Sequence, residues 1–427
     1  MARQFNDAFT VIGNQLPQIT AYLNTLASTC GFPVYTSLDM RDAGFKVAVV
    51  DVNLFPAGWN NLSSQDFARA SNFMREFFAA KLLVTPPYRI VVVPEANTNN
   101  AGYLENIAGI ISLLEHAQCD VRLLWPGEPA IPKAWVVKTS SGRTLTYLPA
   151  QEALDRAQAL LLNHDLSGGI PKLIQDVQLP TFPSTRLGWF RRRKSAHQEI
   201  VAGLLNKIAK QFADFDPWYF QARTLLQKDV DFSSEQSLQV SADLASDLLK
   251  QIANDYRERG IVETPRVFVK NDAGTYGMGV VSIEDPLELT QANRKLRNKM
   301  RVGKESVPIS QVIVQESVPT ALVYDKVTSQ GTLKVAGEPV LYMINGIIVG
   351  GFMRIHESLG EGARHLSLNQ PGSLLDSFEC PDNAGHTTRP FPQIRGESVC
   401  NFASTTGLYG FLARLHALAA GLEECPA

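Results

Sequence analysis

Apolar runs and polar breaks divide the chain into three textures. Through about residue 180, short apolar runs alternate with stretches of helical period. Phe45–Val52 is a near-continuous apolar strand, and Tyr88–Val93 and Ala159–Leu162 read the same way. Phe67, Phe73, Met74, Phe77 and Phe78 fall on one face of a helix capped by Ser63 or Ser64. Leu104, Ile107, Ile111 and Leu114 stripe a second helix over Tyr103–His116. Strands apolar on both faces, alternating with helices, predict a parallel sheet covered by helices. Residues 195–262 carry helical period and few strand signals. From Val267 onward the pattern turns to strands. Ser310–Gln315 is one, and Asn345-Gly346 between the apolar halves of Glu338–Ile355 signals a hairpin. A helix over Leu408–Leu422 closes the chain. The prediction is α/β: an N-terminal parallel-sheet domain over 1–185, then an α+β region over 186–427.

Composition narrows the function classes. A length of 427 residues suits two or three domains. Lys plus Arg total 40 against 42 Asp plus Glu, which gives no reason to expect nucleic acid or an acidic membrane as partner. No apolar run is long enough to span a bilayer, and residues 1–7 lack a signal-peptide core. Five scattered cysteines, Cys30, Cys119, Cys380, Cys400 and Cys425, include no C-x-x-C. Neither a zinc cage nor a disulfide framework is indicated, and the cytoplasm is the expected compartment. Small-molecule substrates are the expected partners, and the sequence leaves a homo-oligomer open.

Two regions carry candidate chemistry. In the first, each predicted parallel strand runs into a polar tip. The tips hold Asp51, Asn53 and Asn61; then Glu95 and Asn97; then Asn163, Asp165 and Ser167. Ligands bind outside the carboxyl ends of parallel strands, so these residues are candidates to hold a small zwitterion. The same residue types are also ordinary turn formers and helix caps. Arg191-Arg192-Arg193-Lys194 offers guanidinium forks for a carboxylate or phosphate, Arg193 among them, or else a solvated basic turn. His197 reads as an acid–base group or a helix-surface histidine.

The second region begins with a strand ending at Lys270 and entering a loop with Gly274, Gly277 and Gly279. A strand-end ammonium and close-approaching backbone N–H groups suit nucleotide phosphates, with the loop as a candidate lid. An ordinary glycine-rich hairpin is the alternative. Where a strand breaks at Pro319, the backbone N–H and C=O groups of Gln315, Glu316 and Val318 are freed to pair with an adenine edge. Arg354 would neutralise a transferring phosphoryl group. Glu338 and Asn369 offer oxygens of the kind Mg²⁺ takes.

The order of these parts resembles the ATP-grasp ligases over roughly residues 195–427. A closer resemblance spans nearly the whole chain. The stretches Asp51–Leu62, Leu161–Gly169, Arg192–His197 and Val269–Gly279 are similar to the proteobacterial glutamate–cysteine ligases. That family joins glutamate's γ-carboxylate to cysteine's amine with ATP through an acyl phosphate, the first step of glutathione synthesis. The resemblance implies ATP and Mg²⁺ as cofactors, with Lys270 and Arg354 as the catalytic cations. It departs at Ser367, where many ATP-grasp enzymes place a metal-binding Glu, leaving Glu357 and Glu361 as substitutes. The usual earlier ATP-binding lysine has only Lys228 and Lys250 as candidates. Two alternatives stay open: another ATP-grasp carboxylate–amine ligase such as a glutathione synthetase, and a non-catalytic nucleotide-binding protein.

Overall fold

The computed structural model describes residues 2–96, 99–274, 280–292, 294–301, 308–321, 323–328, 331–360, 365, 373–378, 393–394, 397–398 and 407–425. Three main sheets organise them. The central sheet holds β1 (Tyr35–Asp42) and β2 (Val47–Asn53) at one end. The parallel sheet takes β3 (Tyr88–Pro94), β4 (Cys119–Leu124), β5 (Trp135–Lys138), β6 (Thr144–Leu148), β7 (Ala159–Asn163) and β8 (Thr181–Phe182) in the order β5-β6-β4-β3-β7-β8. Only its β5–β6 pair is antiparallel. A smaller antiparallel sheet has the order β11-β10-β12-β9. It is built from β9 (Thr224–Gln227), β10 (Val267–Asn271), β11 (Val281–Ile283) and β12 (Val312–Glu316). The central sheet is completed by β13 (Val323–Thr328), β14 (Gly331–Ile344), β15 (Ile347–Gly360) and β16 (Ser373–Phe378), in the order β16-β15-β14-β1-β2 with β13 also on β14.

The parallel sheet is present as expected, but one strand assigned to it belongs elsewhere. The Phe45–Val52 run forms β2, which pairs antiparallel with β1. Its both-face burial comes from helices below and the small-sheet core beside it, not from parallel neighbours. Because β1 also pairs with β14, the central sheet takes strands from both sides of residue 185. A cut at that point would sever it.

Six long helices fill the gaps. They are α1 (Ala2–Ala27), α2 (Ser64–Leu82), α3 (Ala101–His116), α4 (Lys194–Gln211), α5 (Glu235–Glu258) and α6 (Leu408–Glu424). Ser63 caps α2 by accepting from the Asp66 N–H. Ile12, Leu16, Ile19 and Leu23 of α1 join α4, α6 and one face of the central sheet in a single core. The α2 and α3 stripes fill the space between the central sheet's other face and the parallel sheet. The buried stripe of α5, through Leu238, Ala245, Leu248 and Ile252, covers the small sheet. The hairpin turn falls at Asn345 and Gly346, both with positive φ (48° and 75°), the geometry that Asn-Gly supplies at least cost. Among the described residues, no helix is long and apolar enough to cross a membrane.

Candidate active site

Neighbouring strands β1 and β2 place Asp39 opposite Asp51. Like charges opposite one another destabilise a sheet unless each is neutralised. Each has a cation. Arg354 of β15 donates to Asp39, and Lys194, the first residue of α4, pairs with Asp51. Next to this pair, Glu338 faces Arg354 across the hairpin. Its Oε1 lies 2.8 Å from Arg354 Nη1 and its Oε2 lies 2.7 Å from Arg41 Nε. Burial raises the Asp39 carboxyl against the pull of Arg354, with Glu338 and Asp51 adding to the rise. For Asp51, burial also pushes upward, but the Lys194 ammonium outweighs it and the net shift is down. Burial works against the Arg354 charge, yet its two carboxylates push its pKa up.

Asp39, Asp51, Asn53, Asn61, Glu95, Asp165 and Arg354 border one cavity of about 650 Å³. Thus residues from all three polar tips meet, although the strands come from two sheets. The loop after β2 is drawn over this cavity by Asn106 of α3, whose Oδ1 accepts from the N–H groups of Gly58 (2.9 Å) and Trp59 (3.2 Å). At Gly58 φ is +98°, and a Cβ would stand 2.6 Å from the Tyr342 hydroxyl, so only glycine fits.

Asn163 does not join them. It is 2 % exposed, donates to the Pro56 carbonyl (2.9 Å) and accepts from Asn106 (2.9 Å), which makes it a brace under the cavity rather than part of its wall. Asp165 borders the cavity while its Oδ1 accepts from both the N–H and the hydroxyl of Ser167, so it is also a turn former. Ser167, Arg193 and Gly274 border a second cavity of about 320 Å³, with Trp189 and Asn271. Asn97, Gly277, Gly279 and Asn369 lie outside the described residues.

Lys270 stands at the end of β10, and its ammonium donates to Gln315 Oε1 of β12 at 2.8 Å. Burial, then the neighbouring Lys194 charge, pushes Lys270 down to about 8, with Arg41 adding and Asp51 and Asp39 opposing. A half-buried ammonium with a neutral amide acceptor, crowded by other cations, suits an incoming phosphate group. Gln315 and Asp51 border the same small pocket as Lys194, which ties the small sheet to β2.

Two residues expected to offer backbone groups to a nucleotide turn their side chains inward. Glu316 is 1 % exposed, and both its carboxylate oxygens accept from Lys46 (2.8 and 2.7 Å). Its N–H is spent on the Arg223 carbonyl, so only the Glu316 carbonyl is left to consider for an adenine. The Val318 side chain is buried in the core of the small sheet. Glu338 also departs from expectation as a metal ligand. Each of its oxygens already holds a guanidinium, so Mg²⁺ would have to share the carboxylate with Arg41 and Arg354. Among the described residues, no group of three His, Cys, Asp or Glu side chains is set to hold a metal. The described residues do not fit a protein-held Mg²⁺ site.

Sequence reasoning missed Asp39 and Arg41. The signal was present: in Tyr35–Asp42, Leu38 and Met40 alternate with Ser37, Asp39 and Arg41, the period of a strand with one charged face. It also passed over Lys194 in favour of Arg193. His197 is not on the surface; it borders the small pocket beside Lys194 and Asp51 and is otherwise tied up in a buried cluster. It is 2 % exposed, with Nδ1 2.5 Å from Glu423 and Nε2 3.0 Å from His416 Nδ1.

Comparison with known proteins identifies the family. The family model for glutamate-cysteine ligase (GshA) matches residues 10–424. A crystal structure from Methylobacillus flagellatus KT, provisionally named gamma-glutamylcysteine synthetase, is 31% identical with a TM-score of 0.80, covering 98% of this chain and 96% of that one. Two others align loosely, both at 10% identity. One is a glutathione synthetase-like effector from Globodera pallida (TM-score 0.37, 88% of this chain, 84% of that one). The other is D-alanyl-alanine synthetase A from Vibrio cholerae O1 biovar eltor str. N16961 (TM-score 0.29, 60% and 68%). Neither is near enough to argue from. No curated protein matches significantly. With its family model covering all but the chain's ends and a structural relative aligned over nearly its full length, this chain belongs to the glutamate-cysteine ligase family.

Proposed function

We propose that this ligase joins the γ-carboxylate of glutamate to the amine of cysteine in two steps driven by ATP. A carboxylate is a poor electrophile. One of its oxygens attacks the γ-phosphorus of ATP, the bond from that phosphorus to the bridging oxygen breaks, and ADP leaves. The product is an acyl phosphate. The cysteine nitrogen then attacks the acyl carbon, the carbon–oxygen bond to phosphate breaks, and phosphate and the dipeptide result. The proton lost from the amine passes to solvent.

The observation that carries this reading is the position of Lys270. It stands near the end of a strand of the small sheet with its ammonium on Gln315, which borders one small pocket together with Asp51, and Asp51 also borders the large acidic cavity. Phosphates held at Lys270 and an amino acid held in that cavity would therefore meet. Asp51, Glu95 and Asp165 give the cavity an acidic lining suited to ammonium groups, and Arg354 adds a cation for a carboxylate or developing oxyanion. Ser167, Arg193 and Gly274 around the second cavity are assigned to the phosphate side. Mg²⁺ is expected to arrive on the nucleotide, held by phosphates and water, and no step is assigned to it. Cytoplasmic residence fits the composition.

The test is phosphate release from Mg·ATP with glutamate and cysteine together and with each omitted. Release that needs both, matched by a dipeptide mass, is the expected result. Release with glutamate alone would indicate a different acceptor. ATP binding without release under any combination would overturn the ligase reading.

A further inference from the structure

The basic stretch after Trp189 enters the reaction above only through Arg193, yet the fold spends its cations very differently. Arg191 is exposed. Arg192 is buried against Glu423 (2.8 Å) and the Val52 carbonyl (2.8 Å). Arg193 donates to the carbonyls of Trp189 and Arg192. Lys194 alone reaches a carboxylate on the substrate side, Asp51, with its ammonium also 4.8 Å from the centre of the Trp189 ring.

We propose that Lys194 is a second cation at the transfer point, contacting the phosphoryl group as it passes from ATP to the carboxylate, with Asp51 as its partner until substrate arrives. This rests on the ligase reading and deepens it.

Three observations carry the proposal. The first is place. Asp51 borders both the large acidic cavity and the small pocket that Lys194 shares with Gln315, the acceptor of the Lys270 ammonium. Lys194 and the Gln315 that holds Lys270 thus meet at one pocket from two elements. The second is availability. Arg354 borders the large cavity too but is held by two carboxylates, Asp39 and Glu338, and Arg192 is held by Glu423 and the Val52 carbonyl, whereas Lys194 has the single, more exposed Asp51. The counter-ion of Lys194 stands on a cavity wall, where a substrate can compete for it. The third is chemistry. A transferring phosphoryl group spreads negative charge over three equatorial oxygens, and one lysine covers a fraction of it. The role assigned to Lys194 is stabilisation of charge, with no proton transferred.

The rival explanation is that Lys194 does no more than neutralise Asp51. Five chains separate the two: wild type, Lys194→Met, Lys194→Arg, Asp51→Asn and the double variant Lys194→Met/Asp51→Asn. Heat unfolding and ATP binding are measured alongside turnover. The double variant leaves no unpaired carboxylate, so it reports on Lys194 even if the single Met variant fails to fold. The expected result is a kcat loss on the order of 100-fold in the Met variant and in the double variant, with Arg within about tenfold of wild type. A double variant that recovers the kcat of Asp51→Asn alone would overturn the proposal.

The pH profile gives a second reading. Lys270 is faced by Lys194 from α4, Asp51 from β2, Arg41 and Asp39 from β1, and the neutral Gln315 from β12. Removing Lys194 removes a repelling charge, so the alkaline limb of the residual activity in Lys194→Met moves to higher pH. A limb that stays in place would show that the two ammoniums do not share a site. A wild-type chain that releases phosphate without needing both amino acids would remove the ligase reading, and this proposal with it.

Discussion

Arg354 on β15 and Asp39 on β1 meet by two contacts, Nη1 to Oδ2 at 3.0 Å and Nη2 to Oδ1 at 3.3 Å. The pair bridges over the intervening strand β14, and the same Nη1 also reaches Glu338. It therefore pins both strands flanking β14 while leaving Arg354 on the cavity wall. Replacing Arg354 by Met strands Asp39 in a largely buried place and takes from Glu338 one of its two guanidiniums, leaving Arg41. Breaking such a pair from one side costs about 3–5 kcal/mol, a loss to be read as a lower denaturant midpoint. A variant as stable as wild type would mean that Asp39 and Glu338 find other partners and that the network is not what aligns the cavity.

Lys270 sets an alkaline limit. Its pKa of about 8 in the fold lies below the usual 10.5, mainly through burial and then the Lys194 charge. If the ammonium must be charged to hold phosphate, kcat/KM for ATP falls as pH rises through about 8. Stability moves the other way. The unfolded chain binds the extra proton between about 8 and 10.5, so this group's penalty on folding shrinks as pH rises through that window. Bound phosphate favours the charged form, so the limb in kcat is expected at higher pH than that in kcat/KM. Equal limbs in both would argue that Lys270 does not touch the nucleotide.

Local signals in the chain proved readable where the reason was local. Asn345-Gly346 made its turn, Ser63 its cap, and the apolar strand before Lys270 formed with the lysine at its end. What depended on distant partners was not. Nothing in Val47–Asn53 itself says that its sheet continues through β1 to a strand near residue 340, so its apolar run looked like a parallel strand. Four adjacent cations cannot show which one turns inward. That is decided by Glu423, some 230 positions later, and by Asp51, some 140 earlier. The α1 stripe of Ile12, Leu16, Ile19 and Leu23, by contrast, carried a helical period that was there to be read.

Two asparagine-rich tips make contrasting predictions. Asp51→Ala is expected to raise the amino-acid KM far more than the KM for ATP, because Asp51 borders the acidic cavity. Equal effects on both would mark it as structural. Asn163→Ala removes a buried donor and acceptor that brace Pro56 and Asn106. Leaving those groups unsatisfied costs about 1–3 kcal/mol, so the melting temperature falls without a selective change in either KM. Steady-state kinetics beside a melting curve check both variants at once.

A buried polar cluster under α6 predicts how the protein fails in acid. Glu423 on α6 holds Arg192 and His197, and its pKa sits near about 2. Burial works against that value, but the Arg192 charge and the His197 hydrogen bond prevail. Burial lowers both His197 and His416, and for His416 the neighbouring His197 and Arg192 charges add to it. The signs agree. A histidine whose folded pKa lies below its usual 6.5 gives stability that is present above 6.5 and lost as pH falls below it. Glu423 gives stability that is present above 4.5 and lost between there and about 2. Wild-type stability should therefore start to decline below about 6.5 and steepen below about 4.5. Glu423→Gln should lose about 3–5 kcal/mol at neutral pH, since it leaves the buried Arg192 unpaired. It should also flatten the limb below 4.5, because no carboxylate remains to be protonated. Since Arg192 also holds the Val52 carbonyl, next to Asp51, the same variant should raise the amino-acid KM. Urea titrations across pH, paired with kinetics at pH 7, test this. A Gln variant with wild-type stability and an unchanged acid limb would show that α6 is held to β2 by packing alone.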